Sequence, residues 1–166
     1  RRPQTSWRSW GGIHTKDAAR EELDRIGKEL DTMLGAADFP VEFRKPVAAL
    51  GGEDVKKAIG DCDAVLFYAA GGGNDALDAA VQSGKDVLFF LRHRSGPVYL
   101  WYEIISPRYL RQHGDELAVP GVDYSDVVVD STDEVLWRLR ALCGLHNARN
   151  TRILALGVAG GWGPQG

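Results

Sequence analysis

Apolar positions in the first fifth of the chain recur at helical spacing. Ala19, Leu23, Ile26, Leu30 and Met33 follow one another at steps of four, three, four and three, which predicts a helix over residues 16–34. Thr15 can cap it, Asp17 sits in its positive first turn, and Gly35 follows its end. Residues 41–43 form a short strand candidate, and residues 53–59 a short helix closed by Gly60. The pattern then changes. Residues 64–70, AVLFYAA, are apolar without a break, as in a strand covered by helices on both faces. Residues 74–83 read as a helix ended by Gly84, and residues 87–91 as a second buried strand. Pro97 suits the first position of a helix carrying Trp101, Ile104 and Ile105, which Pro107 should kink or interrupt. Val127–Val129 reads as a strand. Ser131 and Glu134 form a capping box for a helix reaching about His146, and residues 153–156 read as the last strand.

Strands separated by helices call for right-handed βαβ crossovers and a parallel sheet. The predicted class is a three-layer α/β sandwich with a mainly parallel sheet, Rossmann-like or flavodoxin-like. The length of 166 residues suits one domain, placed at residues 1–156, with the glycine-rich residues 157–166 as a junction to a following domain. The chain opens in a loop and runs straight into its first helix, where this class normally has a strand. The expectation is a piece of a larger protein that lacks its first strand and leaves an unfilled slot in the sheet.

Charge narrows the partners. A net charge of -3 and a pI near 5.8 argue against a broad electrostatic footprint for nucleic acid or for acidic membranes. No apolar run approaches the roughly 18 residues that span a bilayer. Cys62 and Cys143 show no paired spacing and read as reduced thiols of a cytoplasmic protein.

In open α/β sheets, ligands bind beyond the carboxyl ends of the strands. Four segments qualify. Residues 1–12 hold Arg1, Arg2, Arg8, Trp7, Trp10 and a glycine pair, and combine guanidinium forks with apolar ring faces suited to a polyhydroxylated or anionic small molecule. Ala70-Gly71-Gly72-Gly73-Asn74 joins a strand to a helix, where glycines allow close backbone approach; its alternative is a tight turn. Arg92-His93-Arg94-Ser95-Gly96-Pro97 is a second such loop, either a binding loop with His93 and Arg94 or a solvated basic one. Residues 157–163, with Trp162, read as an interdomain joint. HxH, HExxH and GxSxG patterns are all absent, so no catalytic or metal-binding residue is assigned within the chain. Asp17, Glu21, Glu22, Asp24 and Glu29 read as the solvated face of the first helix.

Three stretches carry a family resemblance. RRPQTSWRSWGGIHTKD, DCDAVLFYAAGGGNDALDAAVQSGKDVLFFLRHRSGP and STDEVLWRLRALCGLHNARNTRILALGVAGGWG resemble the N-terminal domain of L-fucose isomerase and L-arabinose isomerase-like proteins. Residues 40–110 are shorter and differently composed than in the fucose isomerases proper. The resemblance implies a parent aldose–ketose isomerase that uses a divalent metal, commonly manganese, as a Lewis acid on the substrate carbonyl and hydroxyl. The metal ligands would lie in later domains, not in this chain. It also implies a homo-oligomer whose N-terminal domain lends residues to a sugar pocket, with Arg2 as the best match and Trp7, Arg8 and Trp10 beside it. The candidate ligand-binding set is Arg2, Trp7, Arg8, Trp10, Gly72, Gly73, Asn74, His93 and Arg94.

Two other classes compete. Residues 61–91 also look like nucleoside deoxyribosyltransferase-type domains, which need a glutamate nucleophile where this chain offers Asp75 and Asp78. A stand-alone small-molecule-binding or receiver-like module is the third reading. Asp130 ends a strand, as a phosphoacceptor would, but its Ser-Thr-Asp context reads better as the start of a helix.

Overall fold

The computed structural model describes residues 13, 15–71, 73–97, 99 and 104–154. The elements run α1 (Lys16–Ala36), α2 (Gly52–Ile59), β1 (Ala64–Tyr68), α3 (Asn74–Val81), β2 (Asp86–Leu91), a π-helical turn (Ile104–Leu110), a short 3-10 turn (Tyr124–Asp126), β3 (Val127–Val129) and α4 (Thr132–Asn150). The three strands are all parallel, in the order β1-β2-β3. The register runs from Ala64↔Asp86 to Tyr68↔Phe90, and from Phe89↔Val127 to Leu91↔Val129. No slot therefore lies between the described strands. The expected mixed α/β class with a parallel sheet flanked by helices is observed.

Strand alternation divides the core in two. Val87, Phe89 and Leu91 of β2 pack with Val55 and Ile59 of α2, Leu77 and Ala80 of α3, and Ile105 and Leu110 of the π-helical turn. Phe90 faces the other way, into Ile26, Leu30 and Met33 of α1, Val128 of β3 and Val135 of α4. Both phenylalanines are fully buried, and each contributes roughly 1.5–3 kcal/mol of transfer free energy. The Thr15 hydroxyl caps α1, accepting from Ala18 N at 3.0 Å, and the helix runs through Gly35 to Ala36. Ser131 caps α4 through Glu134 N at 3.1 Å. The return half of the expected capping box is not made, because the Glu134 carboxylate accepts from Arg138 instead.

Three expected elements differ. Residues 41–43 form no strand. They lie between Pro40 and Pro46, and Phe43 is anchored on the α1–α4 side of the core instead of pairing with a sheet edge. Ile153 and Leu154 form no strand either and lie exposed beyond α4, which extends to Asn150; residues 155 and 156 are outside the described set. Pro97 sits in a bend, not at a helix start. The helical segment beyond it begins at Ile104 and is π-helical across Pro107, which has no N–H to offer an α-helical ladder.

Candidate functional site

Because the strands are parallel and adjacent, the turns that leave them share one edge of the sheet. Ala69, just past β1, donates its N–H to Phe90 O at 3.0 Å, and Asp130, just past β3, donates to Leu91 O at 2.9 Å. The turn after β1 continues through Gly71, at φ 151°, to Gly73, the N-cap of α3. The loop after β2 is closed by Tyr99 N donating to Arg92 O at 2.8 Å.

A single carboxylate organises the β2 loop. Asp130 accepts from His93 N at 2.8 Å, from Arg94 N at 2.9 Å and from both the amide (2.9 Å) and the hydroxyl (2.6 Å) of Ser95. Its own backbone is left-handed, at φ 59°, a conformation that aspartate tolerates better than most residues. Burial is the largest single influence and works against its charge, but the Ser95 hydroxyl and the three amides together override it and hold the carboxyl well below the usual carboxylate range. With their amides clasped, His93 and Arg94 leave their side chains exposed on the rim.

Beneath the loop, Arg92 turns inward on the Phe90 face and is only 1% exposed. Its guanidinium makes a two-pronged contact with Glu29, Nη1 to Oε1 at 2.8 Å and Nη2 to Oε2 at 2.7 Å, and its Nε donates to Glu22 at 2.6 Å and to the Tyr99 hydroxyl at 3.2 Å. The Tyr99 hydroxyl also donates to Glu22. The rings of Phe90, Tyr68 and Tyr99 lie 5.3–5.6 Å from the guanidinium carbon, within cation–π range. Burial opposes the Arg92 charge, but the carboxylates of Glu29 and Glu22 more than offset it and raise the pKa. Burial, then the neighbouring carboxylates, push the Tyr68 and Tyr99 hydroxyls up as well. This cluster is a sealed support for the loop: charged groups fix its shape from below while the rim above stays open. Gly96 lies so close that an added Cβ would stand 2.8 Å from Arg92 Cδ.

The structure brings Gly73, Asn74, His93 and Arg94 to one edge. Arg2, Trp7, Arg8, Trp10 and Gly72 lie outside the described residues, as do 157–163. The reading of Glu22 and Glu29 as solvated is corrected: Glu22 is buried and Glu29 half-buried, both turned onto Arg92. The signal was present, since Glu22, Ile26, Glu29 and Met33 share a helical face, but a core-facing carboxylate is expected only once its cation is known. Asp130 and Arg92 were also missed as organising residues. Asp75 and Asp78 are engaged in structure: Asp75 accepts from Gly52 N at 2.8 Å, and Asp78 from the Tyr109 hydroxyl at 3.0 Å. Among the described residues, no group of three His, Cys, Asp or Glu side chains could hold a metal ion, and no helix is long and apolar enough to cross a membrane. No protein family, curated protein or solved structure matches this chain.

Proposed function

We propose that this chain is the carbohydrate-binding and assembly domain of an aldose–ketose isomerase-like enzyme, with a Rossmann-like or flavodoxin-like topology and a cytoplasmic location. The observation that carries the reading is the shared rim. The turns after β1 and β2 stand together, and Asp130 spends its charge on the loop backbone so that Arg94 and His93 project outward. Arginine and histidine donors, with Asn74 beside a glycine turn, suit the hydroxyls of a sugar. Residues Arg2, Trp7, Arg8 and Trp10 would supply the stacking face, and Gly72 the closest backbone approach.

The rim favours a neutral ligand over a phosphorylated one. Its converging amides already hold Asp130, and the first turn of α3 already carries Asp75. The loop amides that a phosphate would seek are thus occupied by a protein carboxylate, and at the start of α3 the negative charge of Asp75 opposes a second anion. No described residues fit the divalent metal of such enzymes, so the part proposed for this chain is to bind and orient the sugar, with manganese held elsewhere in the parent.

Calorimetric titration with L-fucose, L-arabinose and a sugar phosphate tests this. The expected result is binding of a neutral sugar, little binding of the phosphate, and a loss of about tenfold in Arg94→Ala, the size of one charge-assisted hydrogen bond. Binding of none of these sugars, or equal binding by Arg94→Ala, contradicts the reading.

A further inference from the structure

A neutral ligand at the rim needs a group that turns charged ones away, and a side chain between α2 and α3 is placed to do so. The two helices pack side by side, and both start at the carboxyl edge of the sheet. α2 follows Gly51 and α3 follows Gly73, and neither glycine supplies a side-chain cap. Two helix starts, each carrying partial positive charge, therefore stand together beside the turn after β1. The Asp75 carboxylate lies between them, and its Oδ2 accepts from Gly52 N at 2.8 Å. A Cβ on Gly51 would stand 3.0 Å from that oxygen, and one on Gly52 would stand 2.8 Å from Asp75 O. A Cβ on Gly73 would run into Asp75 Oδ1. Glycines on both sides thus make room for a carboxylate of the protein itself.

The charge of this group is not spent on a cation. Among the described residues no ion pair holds Asp75, and the residue is exposed. The two acids in the first turn of α2 are placed differently: Glu53 pairs with Lys56 at 2.9 Å, and Asp54 accepts from Leu50 N at 3.1 Å. We infer that Asp75 is a specificity-determining residue of the rim. Its carboxylate fills the space between the two helix starts as an anion would, and its charge keeps phosphorylated sugars out. The inference rests on the reading of the rim as a sugar site and adds to it the residue that sets which charge of sugar is accepted.

Calorimetric titration of the 166-residue chain with L-fucose and with L-fucose 1-phosphate at low ionic strength is the test, with circular dichroism to confirm folding. Asp75→Asn keeps an acceptor for Gly52 N and removes the charge. It should shift the ratio of the two affinities about tenfold toward the phosphate, the size of one charge a few ångströms from a phosphate in water. Raising the salt to about 0.5 M should erase most of that gain. Asp54→Asn removes a charge beside Leu50 instead and should shift the ratio by less than about threefold. Asp75→Ser, which also vacates the space over Gly73, should shift it at least as far as Asp75→Asn and serves if the asparagine variant does not fold. A ratio unmoved in both Asp75 variants, or moved as far by Asp54→Asn, overturns the inference. If neither sugar binds, the rim reading fails, and inorganic phosphate decides on Asp75 alone. The amide signals of Gly52 and Asn74 should then move saturably with phosphate in Asp75→Asn and stay fixed in the native chain. Equal movement in the native chain, or none in the variant, overturns the inference as well.

Discussion

On the side of α2 and α3, β2 buries Val87, Phe89 and Leu91 among alanines, leucines and isoleucines, with one tyrosine hydroxyl reaching Asp78 at the margin. On the side of α1, the same strand buries Phe90, and the next residue on that face is Arg92, held by two carboxylates and capped by aromatic rings. Apolar contact has no preferred direction, so the first face constrains α2 and α3 through shape alone. The second face has a key. Glu22 and Glu29 stand two helical turns apart on α1 and both engage one guanidinium, so a slide or rotation of α1 would strand buried charge. The difference matters for function because the keyed face lies directly under the loop that presents His93 and Arg94.

The largest effect should come from breaking the key. Arg92→Ala strips Glu22 of its buried cation, leaving only the half-exposed Arg25 at 3.1 Å, and Glu29 of its two-pronged partner, and about 3–5 kcal/mol of stability should be lost in urea denaturation. Leu77→Ala on the other face should cost a similar amount, about 2–5 kcal/mol, through its cavity. Rescue tells the two faces apart. Combining Arg92→Met with Glu22→Leu, Glu29→Leu and Tyr99→Phe removes every charge of the key at once and should restore most of the stability. A failure of that rescue would mean that the two faces differ less than their contacts indicate.

A smaller effect should follow from Asp130. Its folded pKa lies below its unfolded one, so its contribution is complete above the unfolded value of about 3.9 and is lost as the pH falls through the folded value. Slowed hydrogen exchange at the amides of His93, Arg94 and Ser95, corrected for intrinsic rates, should therefore persist from neutral pH down to about 4 and vanish only in stronger acid. Asp130→Asn keeps a side chain suited to the left-handed backbone but removes the charge, and should weaken that protection by about 1 kcal/mol. Protection that already fades near pH 5 would mean that the carboxylate is not the clasp.

Much of this fold could be read from the chain. The unbroken apolar runs at 64–70 and 87–91 gave the two central strands because burial on both faces removes alternation, and Thr15 and Ser131 marked helix starts through their hydroxyls. Residues 41–43 and 153–154 misled because short β-branched or aromatic runs look alike whether a sheet edge or a helix layer receives them. In the β2 loop, the pattern drew attention to His93 and Arg94 but passed over Arg92, whose role depends on strand parity and on carboxylates 63 and 70 residues earlier. Asp130 was noticed as the end of a strand, but its role as a clasp was not legible, since the amides that it binds lie more than thirty positions upstream.

Amide chemical-shift mapping of the chain titrated with L-fucose or L-arabinose addresses the shared rim directly. Perturbations should gather at residues 71–74 and 93–95, at the carboxyl ends of β1 and β2, while the opposite edge around Asp86 and His146 stays unchanged. Saturable shifts centred on that opposite edge, or none at the two turns, would contradict the account.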